Sequence, residues 1–184
     1  YIFLPFKPME NGPRKTADKK IINAWAMYDW ANSSYSLVIT SAIFPIYFHD
    51  VVTKGGSEMV QFLGMTFNSA SLLTYALSAA FLVIAFLSPL LSSLADYSGR
   101  KKAFMFFFCT LGAASCSSLY WFDSQDTLAI GIFGYILAAI GYAGSIVFYN
   151  AFLPEIAAPQ DQDRISARGF ALGYVGSSLL LIFS

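Results

Sequence analysis

Ser88-Pro-Leu-Leu-Ser-Ser-Leu-Ala-Asp-Tyr-Ser-Gly-Arg-Lys-Lys102 is the stretch that decides how this chain folds. An apolar run leads into it, a second apolar run starts at Ala103, and between them stand Asp96, Gly99, Arg100, Lys101 and Lys102. Two apolar segments joined by a tight cationic turn read as two membrane helices with the turn on the cytoplasmic side. Gly99 permits a tight turn at positive φ. The Asp96 carboxylate can accept from the orphan N–H groups at a helix start and pair with Arg100.

Composition agrees with lipid as the solvent. Of 184 residues, 57% are hydrophobic and only 12% charged, with a mean hydropathy of +0.57. Soluble domains carry about 25% charged residues, so half that share leaves too few charges to solvate a globular surface. The 11 basic and 11 acidic residues cancel, which gives no surplus for nucleic acid. The two cysteines, Cys109 and Cys116, share one helical face inside an apolar run and read as free thiols. A single histidine, His49, offers no metal-ligand spacing. With no paired nucleophile and base either, the chain does not read as an enzyme, and no cofactor is expected.

Five membrane helices are expected, at about 21–48, 63–94, 103–122, 128–153 and 167–184, after a cytoplasmic tail over 1–20. Residue Ser69 is the alternative start of the second. The tail carries Lys7, Arg14, Lys15, Lys19 and Lys20 among prolines, and Met9 is a candidate native start. Residues 49–61 form an outer loop, where His49 and Asp50 read as a hydrophilic helix exit rather than an acid–base pair. Tyr120 and Trp121 mark the outer interface of the third helix, and Pro45 and Pro89 are expected to bend theirs. Gly134, Ala138, Gly141 and Ser145 in the fourth, and Gly169, Gly173 and Ser177 in the fifth, make small-residue faces for close packing. Residues 154–166 read as a loop, and the run after Arg168 is shorter than a span, so the chain is expected to end inside a helix.

The first helix is unusually polar. Asp29, Ser33, Ser36 and Thr40 follow i, i+4, i+7, i+11, with Asn32 beside them, so one stripe should face protein or water rather than lipid. An ionisable group at membrane depth is by default functional, and a structural cap is the alternative reading of Asp29. Trp25, Tyr28, Trp30 and Tyr35 flank the stripe as interfacial anchors or cavity walls, with anchoring favoured for the terminal ones. Ten of the eleven cations fall in the tail, the turn at 100–102 and the region of Arg164 and Arg168, with Lys54 alone opposite. That asymmetry puts the N-terminus in the cytoplasm.

The stretch at Asp96–Lys102 resembles the signature loop between helices 2 and 3 of the major facilitator superfamily. Asp96, Gly99, Arg100, Lys101 and Lys102 match it, while Ser92 and Tyr97 depart from it. Tyr28-Asp-Trp-Ala-Asn-Ser33, Phe148-Tyr-Asn-Ala-Phe-Leu-Pro-Glu155 and Ser166-Ala-Arg-Gly-Phe-Ala-Leu-Gly-Tyr-Val-Gly-Ser177 are similar to the vacuole-effluxer-like, autophagy-related family of that superfamily. The resemblance covers the chain from about residue 22 onward. It implies the first five helices of an all-α, twelve-helix fold of two six-helix halves, in a bacterial cytoplasmic membrane or a vacuolar one. It further implies export of small solutes, with amino acids suggested for the eukaryotic branch.

On that resemblance, Asp96, Gly99, Arg100 and Lys101 latch the two halves on the cytoplasmic side; the alternative is that the cations serve topology alone. Tyr149, Asn150 and Glu155 could gate the same side, with Arg168 as partner of Glu155, or simply mark a helix ended by Pro154. Asp29, Asn32, Ser33, Tyr35 and Ser36 would line the path of a small solute and a coupling proton or sodium ion. The remaining partners are the bilayer and the C-terminal half of the same protein. A non-transporting membrane scaffold or assembly factor is the rival from another class.

Overall fold

A computed structural model describes residues 16–54 and 56–183. Lys7, Met9, Arg14 and Lys15 fall outside the described residues. Five helical segments are long and apolar enough to cross a membrane. Large apolar side chains are displayed outward along them, Phe86 at 73%, Leu90 at 68% and Phe106 at 69% exposure. Water would penalise such surfaces, whereas hydrocarbon does not. The chain is an all-α polytopic membrane fragment apart from one small hairpin.

The first span joins α1 (Lys19–Ser34), a π-helical stretch (Tyr35–Ile43) and α2 (Phe44–Thr53) into one rod. Pro45 lies in the first turn of α2, where it has no N–H to give the ladder. The widened turns precede it, and the Ser41 hydroxyl donates to the Ser36 carbonyl at 2.9 Å, five residues back. The irregularity expected at Pro45 is therefore a π segment spread over the residues before it.

The outer connection differs from the expected loop and early helix start. Strands β1 (Met59–Phe62) and β2 (Met65–Asn68) pair antiparallel, with Val60 opposite Phe67. Leu63 and Gly64 between them both take positive φ, 51° and 78°, the sign pattern of a type I′ hairpin turn. Val60 anchors this hairpin in the core of that end, with Phe44, Phe48, Leu72, Phe122 and Ile132. Helix α3 (Ser69–Ser98) starts only after it, capped by Asn68, whose side-chain oxygen accepts from the Ala70 N–H at 3.0 Å. The alternative start at Ser69 is the observed one.

Gly99 ends α3 in the left-handed region, φ 64°, and donates back to the Asp96 carbonyl. Helix α4 (Lys101–Ser118) follows at once and tightens into a 3₁₀ turn over Leu119–Trp121. A Ser124–Thr127 capping box leads into α5 (Leu128–Ile156). Pro154 does not end α5; the helix runs two residues further, and the Ala157 N–H closes it on the Leu153 carbonyl at 3.0 Å. Nor are residues 154–166 a loop. Ala157 and Ala158 are the only non-helical residues between α5 and α6 (Pro159–Phe183). Pro159 suits a first helical position, where no N–H partner is needed. Asp161, read as a loop acid, sits in the first turn of α6, where it accepts from Thr16 and pairs with Arg164 at 2.8 Å.

Helix α5 is the central element, packed on α4 and α3, while α1 lies along α6. Its small-residue face is buried as expected: Gly134, Ala138, Gly141 and Ser145 all lose solvent.

Candidate functional site

Asp29 sits in α1, one turn before Ser33, and the polar spacing turns both toward α6 and α5. They border a cavity of about 260 Å³. Ser36 and Leu37 of the π segment continue its wall on one side. Helix α5 adds Tyr142, Ile146, Tyr149 and Asn150, and α6 adds Phe170, Tyr174 and Ser177. The carboxylate lies directly over the α6 backbone: a methyl group on Gly173 would stand 3.2 Å from Asp29 Oδ2 and 2.6 Å from Ser33 Oγ. Glycine at that position is what gives the side chains room.

Asp29 is only 7% exposed. Its Oδ2, the Tyr149 hydroxyl and the Ser177 hydroxyl are all buried without a hydrogen-bond partner. Unpaired buried polar groups are costly, and three of them border this one cavity. Trp25 secures the α1–α5 wall. Its ring stacks on Tyr149 with centroids 4.3 Å apart, and its indole N–H donates to the Tyr149 carbonyl at 3.1 Å. Tyr28 stacks on Tyr149 as well, at 5.3 Å. Trp25, expected as an interfacial anchor, is 8% exposed and is instead a packing residue of this wall.

The predicted path residues divide. Asp29, Ser33 and Ser36 reach the cavity. Asn32 turns toward α5, where the Ser145 hydroxyl lies 3.5 Å from its side-chain oxygen. Tyr35 packs on Tyr142 at 5.0 Å, and Thr40 borders a different cavity with Pro45, His49 and Ser69. The π segment explains the loss of Thr40. Wider turns advance each residue by less than the α-helical value of about 100°, so a stripe drawn at 3.6 residues per turn drifts off its face beyond residue 35. His49 is exposed and contacts Ser69 at 3.2 Å.

The second group sits at the Gly99 turn. Lys101 Nζ lies 2.6 Å from Asp96 Oδ1 and 2.6 Å from Glu155 Oε1, tying the ends of α3, α4 and α5 together. Two expected pairs are thereby corrected. Asp96 pairs with Lys101 rather than Arg100, because Arg100 occupies the cap position and stays exposed. Glu155 pairs with Lys101 rather than Arg168, which is exposed on α6 next to the buried Gly169. A cation on the first turn of α4 opposes that helix's dipole, and two carboxylates offset the repulsion. Tyr149 and Asn150, grouped with this turn in the sequence, belong to the Asp29 cavity.

The cavity residues given no role in the sequence are Leu37, Tyr142, Ile146, Phe170 and Tyr174; Tyr149 and Ser177, named there for other roles, join them. Tyr142, Ile146 and Tyr149 fall at i, i+4, i+7 on α5, and Phe170, Tyr174 and Ser177 repeat that spacing on α6. In an apolar segment this pattern is hidden among lipid-facing residues.

Residues 17–184 match the family described as "Vacuole effluxer Atg22 like". The chain belongs to that family. It is 39% identical over 162 residues, 88% of its length, to the Bacillus subtilis (strain 168) MFS-type transporter YxiO, of which it covers 36%. It is also 26% identical over 166 residues, 77% of its length, to Autophagy-related protein 22 of Pyricularia oryzae, covering 24% of that protein. The chain thus spans about a third or less of these relatives. No solved structure matches it.

Proposed function

We propose that this chain supplies the solute-binding wall of a secondary transporter that moves a small solute across a membrane by alternating access. The observation that carries the reading is the buried Asp29 carboxylate, whose Oδ2 has no hydrogen-bond partner, facing a cavity between α1, α5 and α6. A scaffold needs packed helices but no such group, and the names of the relatives support transport. The distribution of cations supports an N-terminus on the cytoplasmic side. Asp96, Lys101 and Glu155 act as a latch at that side, and Asp29 meets the solute or a coupling ion. The family's description suggests export; amino acids as the solute class are our own reading, taken from the family resemblance of the sequence.

Proteoliposomes holding the native full-length protein test this with labelled amino acids and amines, with and without a pH gradient. Gradient-dependent movement that Asp29→Asn abolishes is the expected result. An Asp29→Asn protein transporting at full rate with unchanged pH dependence removes Asp29 from the mechanism, and no movement of any solute favours the scaffold.

A further inference from the structure

The β1–β2 hairpin has two unlike faces. Side chains alternate along a strand, and residues directly opposite across the pair share a face. The register therefore sets Val60, Phe62, Met65 and Phe67 on one side and Met59, Gln61, Thr66 and Asn68 on the other. The first set is apolar and the second mainly polar, and no residue from 59 to 68 is charged. Val60 seats the root of the apolar face in the core. Beyond it the hairpin overhangs: Leu63 at the turn is 75% exposed. Phe62 and Phe67 rest on rings of the spans, Phe133 of α5 and Tyr75 of α3, each pair with centroids 6.1 Å apart. Both of those supporting rings are themselves exposed.

What lies beneath the overhang follows from its depth and its direction. Helices of 30 and 29 residues, α3 and α5, are about 44 Å long, enough to cross the headgroup layers as well as the ~30 Å hydrocarbon core. Tyr75 and Phe133 stand roughly 7–9 Å inside the ends of these helices, near the hydrocarbon boundary. Phe133 also lies nine residues before Tyr142, and nine steps of about 100° make two and a half turns. It thus looks away from the α5 face that borders the Asp29 cavity, the face that a second half of a transporter would complete. Lipid is what this side of α5 meets. Tyr120 and Trp121, exposed at the same end of α4, run straight into Phe122, which shares the core of Val60, and such aromatics mark the headgroup level. We infer that the hairpin is an interfacial anchor whose tip, Phe62-Leu63-Gly64-Met65, seats in the headgroup layer of the leaflet opposite the Gly99 turn. Unpaired backbone groups on its two free edges need water, which stops it short of the hydrocarbon core, and Gln61 and Thr66 turn to the aqueous side. The anchor pins the link between the first span and α3 to the bilayer, whatever the protein carries across it.

Two methionines make an internal control, since Met59 and Met65 are 55% and 59% exposed yet lie on opposite faces. In the native full-length protein in phosphatidylcholine nanodiscs, chloramine-T, an anionic oxidant that stays in water, should oxidise Met65 several-fold more slowly than Met59. Tandem mass spectrometry of the hairpin peptide reads both sites, and equal rates overturn the anchor. Spin labels then identify what covers the tip. At Leu63→Cys and Met65→Cys, in a full-length background freed of native cysteines, collisions with oxygen should exceed those with a nickel chelate, giving a positive depth parameter. Gln61→Cys and Thr66→Cys should give a negative one. Low accessibility to both reagents at the tip means that protein covers it, either the C-terminal half or a second copy, and a nickel-dominated signal there means water. Either result overturns the inference. Should a cysteine variant fail to fold, the methionine comparison still decides, because it needs no substitution.

Discussion

Where α4 meets α5, Gly141 faces backbone: an added methyl would lie 2.6 Å from Gly112 Cα and 2.8 Å from the Phe108 carbonyl oxygen. Where α1 meets α6, Gly173 faces side-chain oxygens, Ser33 Oγ at 2.6 Å and Asp29 Oδ2 at 3.2 Å from the same hypothetical atom. Gly169 repeats the second arrangement against the Trp25 ring and the Tyr149 hydroxyl. Both faces look alike as strings of small residues at i and i+4. In the first, glycine lets two backbones touch and fuses α4 to α5. In the second, it clears space for polar side chains that then have nothing to bond. One pattern thus serves a backbone-to-backbone seam and the wall of the cavity we propose to bind a solute, and the facing helix decides which.

The largest effect should come from Gly141→Ala. Backbone atoms cannot rotate away, so the helices must separate, and overpacking of this kind costs about 1–3 kcal/mol. Unfolding in bicelles should show that loss; a variant as stable as the parent would dissolve the contrast. Gly173→Ala should behave oppositely. Ser33 can turn aside, and alanine's helix propensity recovers up to about 1 kcal/mol, so stability should hardly move. Solute binding should fall roughly tenfold, since the methyl crowds the charge-assisted contact to Asp29. Parallel melting and binding measurements check both halves, and a binding-competent Gly173→Ala would mean that α6 does not shape the site.

A smaller effect is expected at the Gly99 turn. Lys101 and Glu155 are largely shielded, but the Asp96 side chain is 62% exposed, so solvent screens much of that arm. A double-mutant cycle between Lys101→Ala and Glu155→Gln should give a coupling of about 1 kcal/mol. The corresponding cycle between Arg168→Ala and Glu155→Gln should be the smallest of all, indistinguishable from zero. A sizeable value there would restore the pairing that charge complementarity alone suggested.

Much of this was legible in the sequence for local reasons. The Gly99 turn was readable because a left-handed cap needs a residue without a Cβ. Asp29 and Ser33 were readable because four residues of α-helix return a side chain to nearly the same face. The same arithmetic failed at Thr40, where π turns change the advance per residue, and nothing in Tyr35–Ile43 itself announces that change. The helix end expected at Pro154 failed for another reason. A proline in a last turn forfeits a single ladder bond, so α5 runs on to Ile156 and the Ala157 N–H closes it on the Leu153 carbonyl.

By itself the sequence determined how many segments enter lipid and which side chains are too polar to face it, since both follow from the cost of exposing charge to hydrocarbon. It also located the turn that joins α3 to α4. Tertiary structure alone decided the partners. Lys101 rather than Arg100 or Arg168 meets the carboxylates, and Tyr149 joins Asp29 rather than the Gly99 turn. Partnership is a matter of which helix faces which across the bundle. That is set by the approach distances glycine allows at Gly141, Gly169 and Gly173, a quantity that spacing along one chain does not contain.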